Sequence, residues 1–300
     1  MSGILNQAQE VFTLFLGLII EAFPFIILGV TISTLIALYI KEEKILTYLP
    51  KNKFISHALV AFLGIFIPVC ECGNIPVARR LISKKFSVSQ ATTFLLAAPI
   101  VNPITFITTL EAFNVDKNIA LIRIASGYVI ALTIGLVVSF KKNQNSLLKP
   151  EFYRETCHSE EHDQEKHRGL KIFQKEFIGV FKLLFIGAFI AALTQAIIPR
   201  EVLNTLGAHP ILSILAMVVL GFVVSICSNV DAFFALSYSS SFTLGSLMTF
   251  MIFGPMIDIK ILSMLKNTFK GKFLLWLSVG VAVCSVLVGI GVNIFYRSSL

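Results

Sequence analysis

The sequence predicts an all-α integral membrane protein of about eight transmembrane helices, and composition, apolar runs and an internal repeat support this prediction. Of the 300 residues, 56% are hydrophobic and 14% are charged, whereas soluble domains have about 45–50% and 25%. A soluble fold of this size leaves roughly a quarter of its unfolded surface exposed, so it could not hide so apolar a chain. The composition therefore excludes a soluble enzyme, a secreted disulfide scaffold and a disordered protein.

Eight apolar runs are predicted to cross the membrane, because a crossing needs about 20 apolar residues in a helix. The runs are residues 11–40, 54–69, 88–110, 119–140, 177–198, 211–227, 242–265 and 273–295. The second and sixth runs are short, and prolines interrupt the third and seventh. The first run is longer than the apolar core of a cleavable signal peptide, so we expect it to be retained.

One long polar stretch, residues 141–176, separates two membrane regions, residues 1–140 and 177–300. Its eight Lys and Arg residues predict a cytoplasmic loop. Four crossings on each side of this loop then place both termini in the cytoplasm as well. The net charge of +8 does not indicate a nucleic-acid partner, because the basic residues lie between apolar runs, where they contact lipid headgroups.

The two membrane regions appear as repeats of each other in the sequence. An offset of 157 residues aligns Cys70 with Cys227, and an offset of 156 aligns Pro99 with Pro255 and Asn102 with Asp258. Both regions consist of a long run, a short run, a polar break, a Pro-interrupted run and a long run. We therefore predict two duplicated four-helix halves with broken helices and the same orientation.

The broken runs indicate a transport site. Short and Pro-interrupted spans at matching places in two halves mark substrate sites in transporters, because irregular backbone inside a bilayer must be buried in protein or line a cavity. Asn102 and Asp258 lie at these breaks and are candidate binding residues. The alternative is a kinked helix in which the asparagine has a structural role.

A second group of candidates follows the short run of the first half: Cys70, Glu71, Cys72 and Asn74. Two thiols in this spacing could present soft ligands to a thiophilic ion or metalloid. Glu71 could then serve as a third ligand or as a proton carrier. The alternative is that the small cysteine side chains only pack.

The second half contributes Cys227 and Asp231. An acid within a span usually faces a cavity and has a function, whereas Glu21, Arg123 and Lys182 could each reach an interface by snorkelling. In the polar loop, His158 and His162 have helical spacing and could, like Cys70 and Cys72, bind a metal. The sequence has no phosphate-binding glycine loop, zinc-protease motif or Gly-x-Ser-x-Gly motif, so we expect neither an enzyme nor a cofactor, and transport without ATP.

Three segments resemble a known family: Cys-Glu-Cys-Gly-Asn-Ile-Pro-Val (residues 70–77), Phe-Leu-Leu-Ala-Ala-Pro-Ile-Val-Asn-Pro (94–103) and Cys-Ser-Asn-Val-Asp-Ala-Phe (227–233). They resemble the permeases related to the organoarsenical permease ArsP and to YraQ-like proteins. Within that family the chain is most similar to subunits described as members of two-component membrane permease complexes. Glu71 and Asn229 depart from the family, which more often has Ser and Glu at these positions.

The resemblance implies a multi-pass permease of the bacterial plasma membrane that moves a small solute, such as a thiophilic ion or metalloid compound. It also implies a second, separately encoded membrane subunit. The alternative function is a membrane subunit that anchors or regulates a partner without moving a solute.

Overall fold

The computed structural model describes residues 2–39, 50, 52–66, 70–114, 116–152, 168–197, 210–239 and 241–297. Every regular element in these residues is a helix. The only β-type pairing among them is one isolated antiparallel bridge between Leu148 and Phe269. The prediction of an all-α protein is therefore confirmed.

Within the described residues, each half begins and ends with a long helix and has shorter helices between the two. In the first half they are α1 (Ser2–Tyr39), α2 (Lys53–Phe66), α3 (Glu71–Ser83), α4 (Val88–Ala97), α5 (Pro103–Ala112) and α6 (Lys117–Ser139). In the second half they are α7 (Arg168–Ile197), α8 (Pro210–Val224), α9 (Asp231–Leu236), α10 (Leu244–Met256), α11 (Ile259–Leu265) and α12 (Gly271–Arg297).

Five helical segments of the described residues are long and apolar enough to cross a membrane. They are Gln9–Tyr39, Lys117–Ser139, Gly169–Thr194, Leu244–Leu265 and Gly271–Phe295. Three further apolar helices, Lys53–Phe66, Val88–Ala97 and Ile211–Val224, are shorter than a full crossing. These segments correspond to the eight predicted runs, of which five have the length that a crossing requires.

The segment formed by α10 and α11 lies at the centre of the molecule. In the most apolar 18-residue stretch of this segment, 83% of the residues are buried, whereas the corresponding share in the other four spans is 22–44%. Helices α8 and α12 pack against α10, and α2 and α6 pack against α4 in the corresponding way. The outer helices expose large apolar side chains such as Phe12, Ile20 and Leu275, which is the surface expected of a protein in lipid.

Threonine and glycine make matched contacts in the two halves. Thr93 on α4 packs against Gly135 on α6, and Thr249 on α10 packs against Gly289 on α12. In both cases a Cβ on the glycine would collide with the threonine hydroxyl. Small residues thus allow the long last helix of each half to approach its broken neighbour, as in many membrane proteins.

Small residues also join the short helices to the broken ones. A Cβ on Gly64 of α2 would lie 2.7 Å from the Cα of Ala98, just after α4. A Cβ on Gly221 of α8 would lie 3.5 Å from the Cα of Gly254 in α10. Gly64 corresponds to Gly221 at the offset of 157, and Ala98 corresponds to Gly254 at the offset of 156. These are the offsets that align the halves in the sequence.

The first part of the predicted polar loop is folded against the start of α12. A short 3-10 helix spans Gln144–Leu147, and the Lys149 N–H donates to the Thr268 carbonyl at 3.0 Å. The Lys270 N–H donates to the Leu147 carbonyl at 2.9 Å. Residues 153–167 of the loop lie outside the described residues, whereas residues 168–176 form the beginning of α7 instead of loop. His158 and His162 therefore stay a prediction.

Candidate functional site

A buried cluster of charged and thiol side chains lies where the polar breaks of the two halves meet. We define the buried polar centre as Cys70, Glu71, Cys227, Asp258 and Lys260. All five residues are buried, and none is more than 3% exposed. The first half supplies Cys70 and Glu71, and the second half supplies the other three.

Glu71 and Lys260 form an ion pair between the two halves. Glu71 is the first residue of α3, where the partial positive charge of the helix N-terminus favours a carboxylate. Lys260 on α11 places Nζ 3.2 Å from Glu71 Oε1 and 4.0 Å from Asp258 Oδ2. A buried ammonium is costly unless it is paired and hydrogen-bonded, and these two acids supply the compensating charge.

The backbone after α8 completes the surroundings of Lys260. Lys260 Nζ donates a hydrogen bond to the Ser225 carbonyl at 3.1 Å. Ser225 has φ 52°, a left-handed conformation that is uncommon for a residue other than glycine. Non-glycine residues in this conformation occur often at functional sites.

Two thiols from different halves approach Glu71. The Sγ atoms of Cys70 and Cys227 and a carboxylate oxygen of Glu71 all lie within 4.8 Å of one another. Cys72 is also buried but lies outside this group of three. Cys70 lies within hydrogen-bonding reach of both Cys72, the partner that the sequence suggests, and Cys227 of the other half. Two sulfur atoms and one oxygen are a donor set suited to a soft ion.

A second buried ion pair joins the halves beside this centre. Arg123 on α6 donates from Nη2 to Asp231 Oδ2 at 2.5 Å and from Nη1 to Thr109 Oγ1 at 2.7 Å. Asp231 is the first residue of α9. The interpretation of Arg123 as a snorkelling residue is wrong, because its side chain is 0% exposed and fully enclosed by protein.

Asn102 and Asp258 both cap the helix that follows a break. Asn102 Oδ1 accepts from the Ile104 N–H at 2.9 Å, and Asp258 Oδ1 accepts from the Ile261 N–H at 2.5 Å. Asn and Asp are favoured at this position, because their side chains satisfy a free N–H of the first turn. Asp258 additionally faces Lys260, so the structure includes Asp258 in the buried polar centre and gives Asn102 a capping role.

Several buried polar atoms of these segments have no hydrogen-bond partner within the described residues. They are Glu21 Oε1, Glu71 Oε2, both amide atoms of Asn74, Ser228 Oγ, Asn229 Oδ1, Asp231 Oδ1 and Asp258 Oδ2. Buried polar groups in proteins are nearly always hydrogen-bonded, so such a concentration needs an explanation. These atoms are donors and acceptors suited to a polar occupant.

Lys260 is a site residue that the sequence analysis did not single out. Its signal is present in the sequence, because Lys260 stands two residues after Asp258 in an otherwise apolar run. An ionisable residue inside a span indicates function by default, with its partner to be named. That partner, Glu71, is 189 residues away in the sequence.

The region containing both ion pairs matches a known family. The sequence profile ArsP_1, described as predicted permease, matches residues 7–294. The chain belongs to this permease family. The resemblance seen in the sequence motifs is thereby confirmed, and membership in the family indicates a membrane transport protein rather than an enzyme.

Two relatives are similar to this chain over nearly its whole length, and a third is similar over part of it. The chain is 40% identical to the UPF0718 protein YcgR of Bacillus subtilis, over 92% of this chain and 94% of the relative. It is 34% identical to a Streptococcus mutans protein named "Putative two-component membrane permease complex subunit", over 90% of both chains. The UPF0718 protein YraQ of Escherichia coli matches 37% of this chain at 28% identity, over 32% of its own length. No solved structure matches the chain.

Proposed function

We propose that this protein is a secondary permease of the bacterial cell membrane and that the buried polar centre binds its solute. The observation that carries this proposal is the meeting of both halves' broken segments at a group of thiols, acids and one lysine, among unpaired polar atoms. Broken helices that contribute ligands near the middle of the membrane are typical of secondary transporters.

We also propose that eight spans form two duplicated halves, residues 1–140 and 177–300, joined by a cytoplasmic loop of residues 141–176. The long helix at both ends of each half, with shorter helices between them, supports the duplication. So do the corresponding contacts Thr93–Gly135 and Thr249–Gly289. In this arrangement Cys70 and Cys227 are equivalent residues that approach each other between the halves.

The solute is a small soft ion or a metalloid compound, bound by Cys70, Cys227 and Glu71. Thiolate ligands select soft ions. Glu71 and Asp258 together carry one negative charge more than Lys260 neutralises, which favours a cation. Asp258 and Asp231 are also the candidate proton carriers. Cys72, Asn74 and Asn102 complete the set of candidate residues named from the sequence.

The test compares cysteine variants in transport. A deletion strain is first grown on a panel of metals, metalloids and metabolites, and the solute that changes growth is followed in membrane vesicles. We expect Cys70→Ser with Cys227→Ser to reduce transport of a thiophilic solute at least about tenfold, since two soft ligands are lost. Cys284→Ser is the matched control, because this partly buried thiol lies on α12 outside the centre. Full transport by the double variant at equal membrane abundance would remove the thiols from the site.

A second membrane subunit is part of the proposal, because the Streptococcus mutans relative bears the name of a complex subunit. Vesicles that contain this chain alone, its candidate partner alone or both would show which protein moves the solute. Transport by the pair and by this chain, but not by the partner, supports a permease. Transport by the partner alone would instead make this chain an anchoring or regulatory subunit.

A further inference from the structure

A cavity of about 470 Å³ opens between the end of α6 and the start of α12, and none of its lining residues belongs to the buried polar centre. Its lining consists of Val137, Val138, Lys141, Ser146, Leu147, Lys270, Lys272, Phe273 and Trp276. Binding sites for small molecules have volumes of about 300–1,000 Å³. The cavity is therefore large enough to take a ligand.

The lining divides into a cationic and an apolar part. Lys141, Lys270 and Lys272 supply three ammonium groups, and no acidic residue belongs to the lining. The other lining residues are apolar apart from Ser146, and they include one phenylalanine and one tryptophan. A ligand that fits this division carries negative charge at one end and apolar groups at the other.

The cavity lies at the end of two membrane-spanning helices. Lys141 follows the span Lys117–Ser139, and Lys272 stands at the start of the span Gly271–Phe295. Trp276, the only tryptophan of the chain, stacks on Phe273 with ring centroids 6.2 Å apart. Tryptophan is enriched where the hydrocarbon core meets the headgroups, so the cavity is at headgroup level.

Two hydrogen bonds hold the 3-10 helix that forms one wall of the cavity. The Lys270 N–H donates to the Leu147 carbonyl, and the Ser89 N–H donates to Gln144 Oε1 at 3.0 Å. The 3-10 helix that contributes Ser146 and Leu147 is therefore tied both to α4 and to the start of α12. A site formed before the ligand arrives avoids part of the entropic cost of binding.

We propose that this cavity binds an anionic phospholipid. The lipid phosphate lies among the ammonium groups of Lys141, Lys270 and Lys272, and the upper acyl chain lies along Val137 and Trp276. Basic pockets between transmembrane helices bind acidic lipid headgroups by this combination of charge and apolar contact. The proposal is independent of the solute and of the buried polar centre.

The single tryptophan makes this proposal directly measurable. The full chain is reconstituted in phosphatidylcholine vesicles with increasing fractions of phosphatidylglycerol brominated on the acyl chain, and Trp276 fluorescence is recorded. Brominated phosphatidylcholine gives the reference for unselective contact with lipid. We expect phosphatidylglycerol to reach half-maximal quenching at about a five- to tenfold lower fraction, because three lysines attract its headgroup.

Two triple variants separate the pocket from general charge. The first variant combines Lys141→Gln, Lys270→Gln and Lys272→Gln. In this variant we expect both lipids to reach half-maximal quenching at about the same fraction, so that the ratio of the two fractions falls to about one. The matched control is Lys117→Gln, Lys142→Gln and Lys266→Gln, which removes the same charge from exposed residues outside the lining and keeps the wild-type ratio. If the pocket variant loses helix content, Lys272→Gln alone replaces it, with an expected two- to threefold drop in the ratio.

Three results would overturn the proposal. The first is equal quenching of the wild-type protein by both lipids, and the second is the same loss of selectivity in both triple variants. The third is loss of quenching by phosphatidylglycerol when inorganic phosphate is added at constant ionic strength, since this would assign the cavity to a soluble anion. Retained quenching under phosphate supports the lipid.

Discussion

At the scale of single residues, the two buried ion pairs are the most consequential features of the molecule. Each pair takes an acid from the first position of a short helix, Glu71 in α3 and Asp231 in α9. Each acid meets a cation from the other half, Lys260 and Arg123 respectively. Removing one partner of such a pair leaves an uncompensated buried charge, whereas removing both partners costs far less.

We therefore predict that Asp231→Asn lowers the free energy of unfolding by about 3–5 kcal/mol, because Arg123 then stays buried without its counter-charge. The double variant Asp231→Leu with Arg123→Met should recover most of this loss. Thermal unfolding of the purified protein in detergent measures both effects.

Asp116→Asn is the matched control for this prediction. Asp116 caps α6 by accepting from the Asn118 N–H at 2.9 Å, and Asn caps a helix about as well as Asp. An unchanged melting temperature for Asp231→Asn, equal to that of Asp116→Asn, would show that the buried pair contributes little to stability.

At the scale of helices, the sequence predicts the breaks better than the contacts across them. The breaks near Pro99 and Pro255 are visible in the sequence because proline cannot donate a backbone hydrogen bond and disfavours the preceding turn. The capping roles of Asn102 and Asp258 follow from the same local rules. By contrast, the approach of Cys70 to Cys227 and the burial of Arg123 depend on partners more than 100 residues away, which no local pattern encodes.

The contact between α10 and α12 gives a prediction for this scale. Gly289→Ala should lower the free energy of unfolding by about 1–3 kcal/mol, because its Cβ would meet the Thr249 hydroxyl and the Gly245 carbonyl oxygen and overpack the interface. Gly291→Ala, on the same helix, has no neighbouring atom within 4 Å of the added Cβ. It should be neutral or should stabilise by up to about 1 kcal/mol through helix propensity.

Thermal unfolding of these two variants in one detergent measures the difference directly. Equal melting temperatures would contradict the close packing of α10 on α12. Thr249→Ser with Gly289→Ala would remain destabilised, because the hydroxyl stays in place and the Gly245 carbonyl is also close.

At the scale of the whole molecule, the orientation in the membrane is the property that a labelling experiment can decide. Residues 141–176 contain eight basic residues, which predicts a cytoplasmic position. We expect Cys157, as the only cysteine retained, to remain unlabelled by a membrane-impermeant maleimide in intact cells and to react after permeabilisation.

A variant at the other end of α6 is the control for this experiment. Lys117 is exposed and begins the span that ends at Ser139, so Lys117→Cys in a background without other cysteines should react in intact cells. If the maleimide labels Cys157 but not Lys117→Cys in intact cells, the protein has the opposite orientation to the one proposed.

The pairing of charges between the halves also determines the order in which the protein can be assembled. Glu71 and Arg123 are synthesised 189 and 108 residues before Lys260 and Asp231. At about 5–20 residues per second, the ribosome needs roughly 5 to 40 seconds to deliver these partners. During that interval a carboxylate and a guanidinium are in the membrane without their counter-charges, each at a cost of about 2.5–3.5 kcal/mol on insertion scales. The newly made first half therefore has to be held by the insertion machinery or by water at the membrane surface, and its native packing waits for the last helices of the chain.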